Sequence, residues 1–267
     1  MRYNMVNKHH WWVVNLGGAC DPQLPCYRKC YQKADKATLM GAKQFELIAS
    51  LMRYSSSNTL MLHVNGGTPP DVVGNAVKTL VTDNCKTWQM TININDVERL
   101  REIIKRCGSP SLVQVSIPSD VKVEAIPHVE GCRIGITVLI SANANVDIVR
   151  RNIITAAYIG DGQVDNVHFL THHAPRSCMN AKNAVGLFRV MDSQKILDVI
   201  RIIGADVISD SCLSGACEQR SDDHGPFGGM VNVMNISCHG KELYVGGCAW
   251  GGKPDYPDTI RGVYALD

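Results

Sequence analysis

Short apolar, β-branched runs alternate with helix-period patterns along most of the chain. The runs fall at residues 11–16, 59–64, 88–92, 112–117, 135–140 and 166–170, each the length of a strand. Between them lie helical patterns. The first spans about 33–54, where Ala37, Met40, Phe45, Ile48, Leu51 and Met52 approximate a stripe, and a short helix follows with Asp71 as its N-cap. Further helices are expected at 96–107, 147–159 and about 193–203, and Val207-Ile208 begins another short strand. Strand–helix alternation of this kind predicts βαβ units and a parallel sheet. Six units are too few for a closed eight-stranded barrel, so the expected fold is an open, partial (β/α)6 TIM-like barrel.

From about residue 208 the texture changes. Residues 225–229 are turn-rich, and 231–237 with 242–245 predict a β-hairpin over His239-Gly240. The tail, 251–267, is proline- and glycine-rich with little periodicity. The expected division is therefore a barrel core at 1–210 and a cysteine-containing hairpin and tail at 211–267.

In parallel α/β sheets the chemistry gathers at the carboxyl ends of the strands, and the informative segments sit there. After the first strand comes a loop with Cys20, Cys26 and Cys30, spaced C-x5-C-x3-C and broken by Pro22 and Pro25. Three thiolates around one metal centre leave a coordination position open for chemistry. After the second strand comes Gly66-Gly67-Thr68-Pro69, whose glycines let a ligand approach the backbone closely. Ser116 and Ser119 close the fourth strand. His168, His172, His173 and Arg176 gather at the exit of the sixth, suited to an anionic substrate or to acid–base work near neutral pH.

These two elements together resemble the radical S-adenosylmethionine (SAM) enzymes. The resemblance implies a partial (β/α)6 barrel in which Cys20, Cys26 and Cys30 hold a [4Fe-4S] cluster. SAM would bind that cluster's open iron, with its amino group met by Gly66, Gly67, Thr68 and Pro69. It also implies ribose or carboxylate contacts from Ser116 and Ser119 and an apolar element around Ile136 beside the adenine. Electrons would come from a donor such as flavodoxin or ferredoxin. The substrate would be a small molecule, a nucleotide or nucleobase (within DNA or RNA included) or a peptide, with rearrangement or carbon–carbon bond formation as fitting reactions. His172 and His173 would then be catalytic, and Cys178 a hydrogen donor to a substrate radical. The cysteine spacing departs from the family's usual C-x3-C-x2-C, and Lys29 stands before Cys30 where an aromatic is usual.

Composition narrows this little. The 267 residues are 45% hydrophobic and 19% charged with a net charge of +2, which neither demands nor excludes nucleic acid. No apolar run reaches the roughly 18 residues of a membrane span, and no apolar leader is evident, so a cytoplasmic protein is expected. Eleven cysteines, an odd number without an export signal, read better as metal ligands than as disulfides. Cys212, Cys217, Cys238 and Cys248 form a second set that could hold an auxiliary cluster or zinc. Two rival readings remain: a zinc protein using Cys20, Cys26, Cys30 and His172 without radical chemistry, and a metal-free thiol module.

Overall fold

The computed structural model describes residues 9–18, 38–54, 57–83, 85–123, 133–159, 164–171, 181–209, 231–246 and 260–265. Its framework is seven parallel strands in chain order: β1 (His9–Asn15), β2 (Ser57–His63), β3 (Trp88–Asn93), β4 (Leu112–Pro118), β5 (Ile134–Ile140), β6 (Val164–Thr171) and β7 (Asp206–Ser209). Each strand lies next to its successor. Helices α1 (Ala42–Met52), α2 (Pro70–Leu80), α3 (Val97–Cys107), α4 (Val146–Ala157), α5 (Ala181–Met191) and α6 (Gln194–Ile203) provide the returns. Parallel crossovers are right-handed, so winding always in one direction puts every helix on the same side of the sheet. That is the order of an open (β/α) barrel, as expected, with the seventh strand continuing it.

The C-terminal segment enters the same sheet. β8 (Val231–His239) pairs in parallel with β1, on the side away from β2, and folds back antiparallel onto β9 (Glu242–Gly246). A third strand, β10 (Ile260–Ala265), pairs antiparallel with β9. The expected hairpin over His239-Gly240 is thus an edge-on extension of the barrel sheet. β10 was not expected from the sequence.

One face of the sheet is apolar without a break. Trp12, Val14 and Leu16, then Leu60 and Leu62, Met90 and Ile92, Val113, Val115 and Ile117, Ile134 through Ile140 by twos, and Val167 with Phe169 are all buried under the helices. The helices meet them with Phe45, Ile48, Val73, Leu80, Leu100, Ile103, Val149, Ile153 and Leu187. At roughly 25 cal/mol per Å² of apolar surface, this shared layer is the main stabiliser of the fold.

The helix boundaries correct the sequence reading in two places. Residues 38–41 are not helical, and α1 begins at Ala42, capped where Gln44 Oε1 accepts from Gly41 N at 3.0 Å. Met40 is buried as the stripe implied, but as an extended segment whose N–H donates to Leu16 O (3.0 Å). Pro69, not Asp71, is the N-cap of α2, with Pro70 opening the helix where its missing N–H costs nothing. Asp71 sits in the first turn and pairs with Arg106 of α3.

Candidate functional site at the carboxyl ends of β1 and β2

Where β1 ends, Gly17 and Gly18 adopt φ of +75° and +101°, backbone that a side chain strains. Both also touch neighbouring backbone. A Cβ on Gly18 would stand 2.8 Å from Gly67 C and Thr68 N, and one on Gly17 would stand 2.4 Å from Thr38 O. The Gly17-Gly18 turn that leads into the cysteine loop and the Gly66-Gly67 turn therefore lie directly against each other. Cys20 follows two residues after Gly18.

Thr68 joins the turns. Fully buried, its hydroxyl donates to Gly17 O at 2.6 Å and accepts from Asn65 N at 2.9 Å. Asn15 adds a second tie, its Oδ1 accepting from Gly17 N (3.1 Å) and from Asn65 Nδ2 (3.2 Å). From α3, Arg99 donates to the carbonyls of Asn65, Gly66 and Thr68 together. One guanidinium thus fixes the outer edge of the turn, a use of the planar fork that lysine could not copy. The Asp96 carboxylate lies beside Gly66, where a Cβ would come within 3.3 Å of it.

The far end of the cysteine loop is held as firmly. Thr38 N donates to Cys238 O (2.8 Å), and Gly240 N donates to Thr38 Oγ1 (2.7 Å). The β8–β9 turn thus anchors the segment where it returns to the top of β1. Cys20, Cys26 and Cys30 lie outside the described residues, as do His172, His173, Arg176 and Cys178. Among the described residues no group of three His, Cys, Asp or Glu side chains is placed to hold a metal ion.

The other expected contacts divide. Gly67 and Pro69 are exposed at the turn, and Gly66 is half-buried. Thr68, by contrast, spends its hydroxyl inside the structure, so what the turn offers a ligand is backbone at Gly66 and Gly67. Ser116 is half-buried between Asn93 and Thr137 on the face away from the helices, open to a ligand. Ser119 is placed otherwise: fully buried, its Oγ accepts from Ser141 N (2.9 Å) and links the exits of β4 and β5. Ile136 is also placed otherwise, buried on the helix side in register with Val115 and Val167, so only its backbone could meet a ligand.

Of the second cysteine set, Cys212, Cys217 and Cys248 lie outside the described residues. Cys238 is fully buried, with Gln44 Nε2 donating to its Sγ (3.8 Å) and its own S–H donating to Gly240 O (3.6 Å). Burial raises the thiol's pKa, against a smaller opposing pull from Gln44. Cys85 is held more strongly neutral, pushed up to about 11 by burial.

Apart from Ser116 and His168, sequence reasoning missed what lies on the face opposite the helices. In register across the sheet run Asn15, His63, Thr91, Gln114 and Gly135. One step nearer the carboxyl ends run Asn93, Ser116, Thr137 and His168. His63 Nδ1 and Thr91 Oγ1 share a hydrogen bond of 2.8 Å, and Gln114 Nε2 donates to Asn166 Oδ1 (3.1 Å). Arg99, Asn15 and Asn65 were missed as well. The period-2 polar positions of β3 and β4 were the available signal.

No protein-family model matches the sequence, and no curated protein matches it. Among solved structures the chain is similar to coproporphyrinogen III oxidase (HemN) from Escherichia coli, described as a radical SAM enzyme. The match has 12% identity and a TM-score of 0.48, over 98% of this chain and 73% of that one. So distant a likeness carries no argument about activity. Among the described residues no helix is long and apolar enough to cross a membrane.

Proposed function

We propose that this chain is a radical SAM enzyme in which Cys20, Cys26 and Cys30 hold a [4Fe-4S] cluster beside a SAM site at Gly66-Gly67 and Ser116. One observation carries the reading: Gly18, two residues before the first cysteine, is in backbone contact with Gly67 and Thr68. That contact supports one site for the cysteine loop and the glycine turn, which are 47 residues apart in sequence when counted from Cys20 to Gly67. The residues suit the group. Three thiolates leave one iron open, and the adjoining turn offers close backbone approach for a polar head group. When bound, a reduced cluster and SAM supply one-electron cleavage of a sulfonium and a carbon-centred radical that takes hydrogen from substrate.

The protein's own work is positional. Thr68, Asn15 and Arg99 fix the turn, so it meets a ligand without reorganising. Thr38, held by the β8–β9 turn, fixes the return of the cysteine loop. Ser116 offers a hydroxyl from the sheet face. His172, His173 and Cys178 remain candidates for proton or hydrogen transfer, and a flavodoxin or ferredoxin remains the candidate electron donor.

The test is anaerobic purification with iron and sulfide analysis of the wild type and a Cys20→Ala/Cys26→Ala/Cys30→Ala variant. About four irons per chain in the wild type, lost in the variant, with 5′-deoxyadenosine formed from SAM under reduction, is the expected result. Zinc in place of iron, or iron undiminished in the triple variant, overturns the assignment.

A further inference from the structure

The sheet face opposite the helices is built of amide and hydroxyl side chains with two histidines. Its lower row, Asn15–His63–Thr91–Gln114–Gly135, and its upper row, Asn93–Ser116–Thr137–His168, are in continuous register from β1 or β3 to the β5–β6 region. No Asp, Glu, Lys or Arg occupies either row. The nearest charge in register is Asp206, exposed on the edge strand opposite Asn166. Asn15, Gln114 and Thr137 are 7%, 7% and 6% exposed, and the other side chains of the two rows are half-buried.

Polar groups withdrawn from water are costly unless partnered, and this face is only partly self-satisfied. One step below Thr91 on the same face, Gln89 Oε1 is buried with no hydrogen-bond partner among the described residues. The floor is shaped as well as polar. At Gly135 a Cβ would stand 2.1 Å from Gln114 Oε1 and 3.1 Å from Asn166 Oδ1. The glycine is what lets the two amides meet across β5.

We infer that the lower row, with Gln114 and its partner Asn166, is the substrate-recognition surface of the site proposed above, Ser116 of the upper row being left to SAM, and that the substrate presents a nucleobase to it. The inference rests on that proposal for its location. No lysine or arginine stands on the rows to fix an anion and no carboxylate to fix a cation, while amides and hydroxyls are the groups they offer most. Primary amides offer a donor and an acceptor on one edge and pair in bidentate fashion with the donor–acceptor edge of a base. Gln114 and Asn166, locked together over a glycine floor, present two such groups side by side, and His63–Thr91 continues the row.

The test is calorimetric titration of the iron-loaded protein, with SAM saturating so that an adenine site cannot answer for the rows. Adenosine, guanosine, cytidine and uridine are the probes, with acetyl-diglycine amide as the peptide-amide comparison. One nucleoside should bind, with Kd raised at least tenfold in Gln114→Met and in Asn166→Leu while iron content stays at the wild-type level. Thr91→Val, which keeps the side-chain shape, reads the same row should either variant fail to fold. Absence of nucleoside binding to the iron-loaded wild type, binding that ignores the substitutions, or binding of the diglycine amide alone overturns the inference. Absence of iron from the wild type instead refutes the proposed function, so the two failures are distinguishable.

Discussion

Thr68 is the sharpest place to test whether the two glycine turns act as one structure. Thr68→Val removes the hydroxyl at almost constant volume. Gly17 O then loses the donor at 2.6 Å, and Asn65 N loses the acceptor at 2.9 Å, at a side chain with no exposure. A buried polar group left unsatisfied costs about 1–3 kcal/mol. Asn65 is only half-buried and recovers part of its share from water, so the expected loss is about 2–4 kcal/mol. That is a large fraction of the roughly 5–15 kcal/mol available to a typical domain. Thr68→Ser keeps both bonds and gives up one methyl, about 1 kcal/mol. Equilibrium urea unfolding of the three proteins at equal ionic strength measures both differences. The order wild type, then serine, then valine is expected, with iron content after anaerobic purification falling in the valine variant. Equal stability of the valine variant and the wild type would refute the idea that this hydroxyl ties the cysteine loop to the glycine turn.

Four further outcomes follow from the same geometry. Arg99→Lys should weaken SAM binding at least tenfold by equilibrium dialysis with little change in circular dichroism, because an ammonium cannot serve the three carbonyls that Arg99 serves together. Gly135→Ala should cost about 1–3 kcal/mol in urea unfolding, since its Cβ would overlap Gln114, and Gly135→Ala/Gln114→Ala should recover much of that loss. Burial pushes the Cys85 thiol up to about 11 from an ordinary 9.0. A raised folded pKa contributes stability below the unfolded value and loses it as pH rises through the folded one. Stability should therefore fall between about pH 9 and 11, and Cys85→Ala should flatten that limb. Asp147 is exposed and its pKa is lowered, first by its hydrogen bond from Lys195 (2.8 Å). Lys195→Met should remove a small stabilisation that is present above the unfolded carboxylate pKa and lost in acid, visible only as a change of slope below about pH 4.

The order of elements was legible in the sequence, while the face carrying the proposed specificity was not, and both facts have the same cause. Strands covered by helices read as apolar runs, so β4 (LVQVSIP) and β5 (IGITVLI) declared themselves as strands at once. Their second face is nearly as buried, so Gln114 and Thr137 look like interruptions of an apolar run until the register puts them in line with Thr91 and His168. Helix α5 was lost for the opposite reason. Val185 and Phe188 are apolar but more than half exposed, which blurs its stripe, and Gly186 suggests a loop. That glycine is there because the helix runs close to β5, where a Cβ would stand 2.5 Å from Ser141 O. Arg99 carries no motif of its own in the sequence, and only the turn of α3 beside Asn65 reveals what it holds. Spacing singles out the cysteines and the glycine turn because each is a local pattern. The contacts that tie Gly17 to the Gly66–Thr68 turn and Thr38 to the β8–β9 turn (from Asn15, Thr68, Arg99 and Gly240) act across 31 to 202 residues of sequence. Contacts of that range leave no periodic trace, so they emerge only once the register and the turns are known.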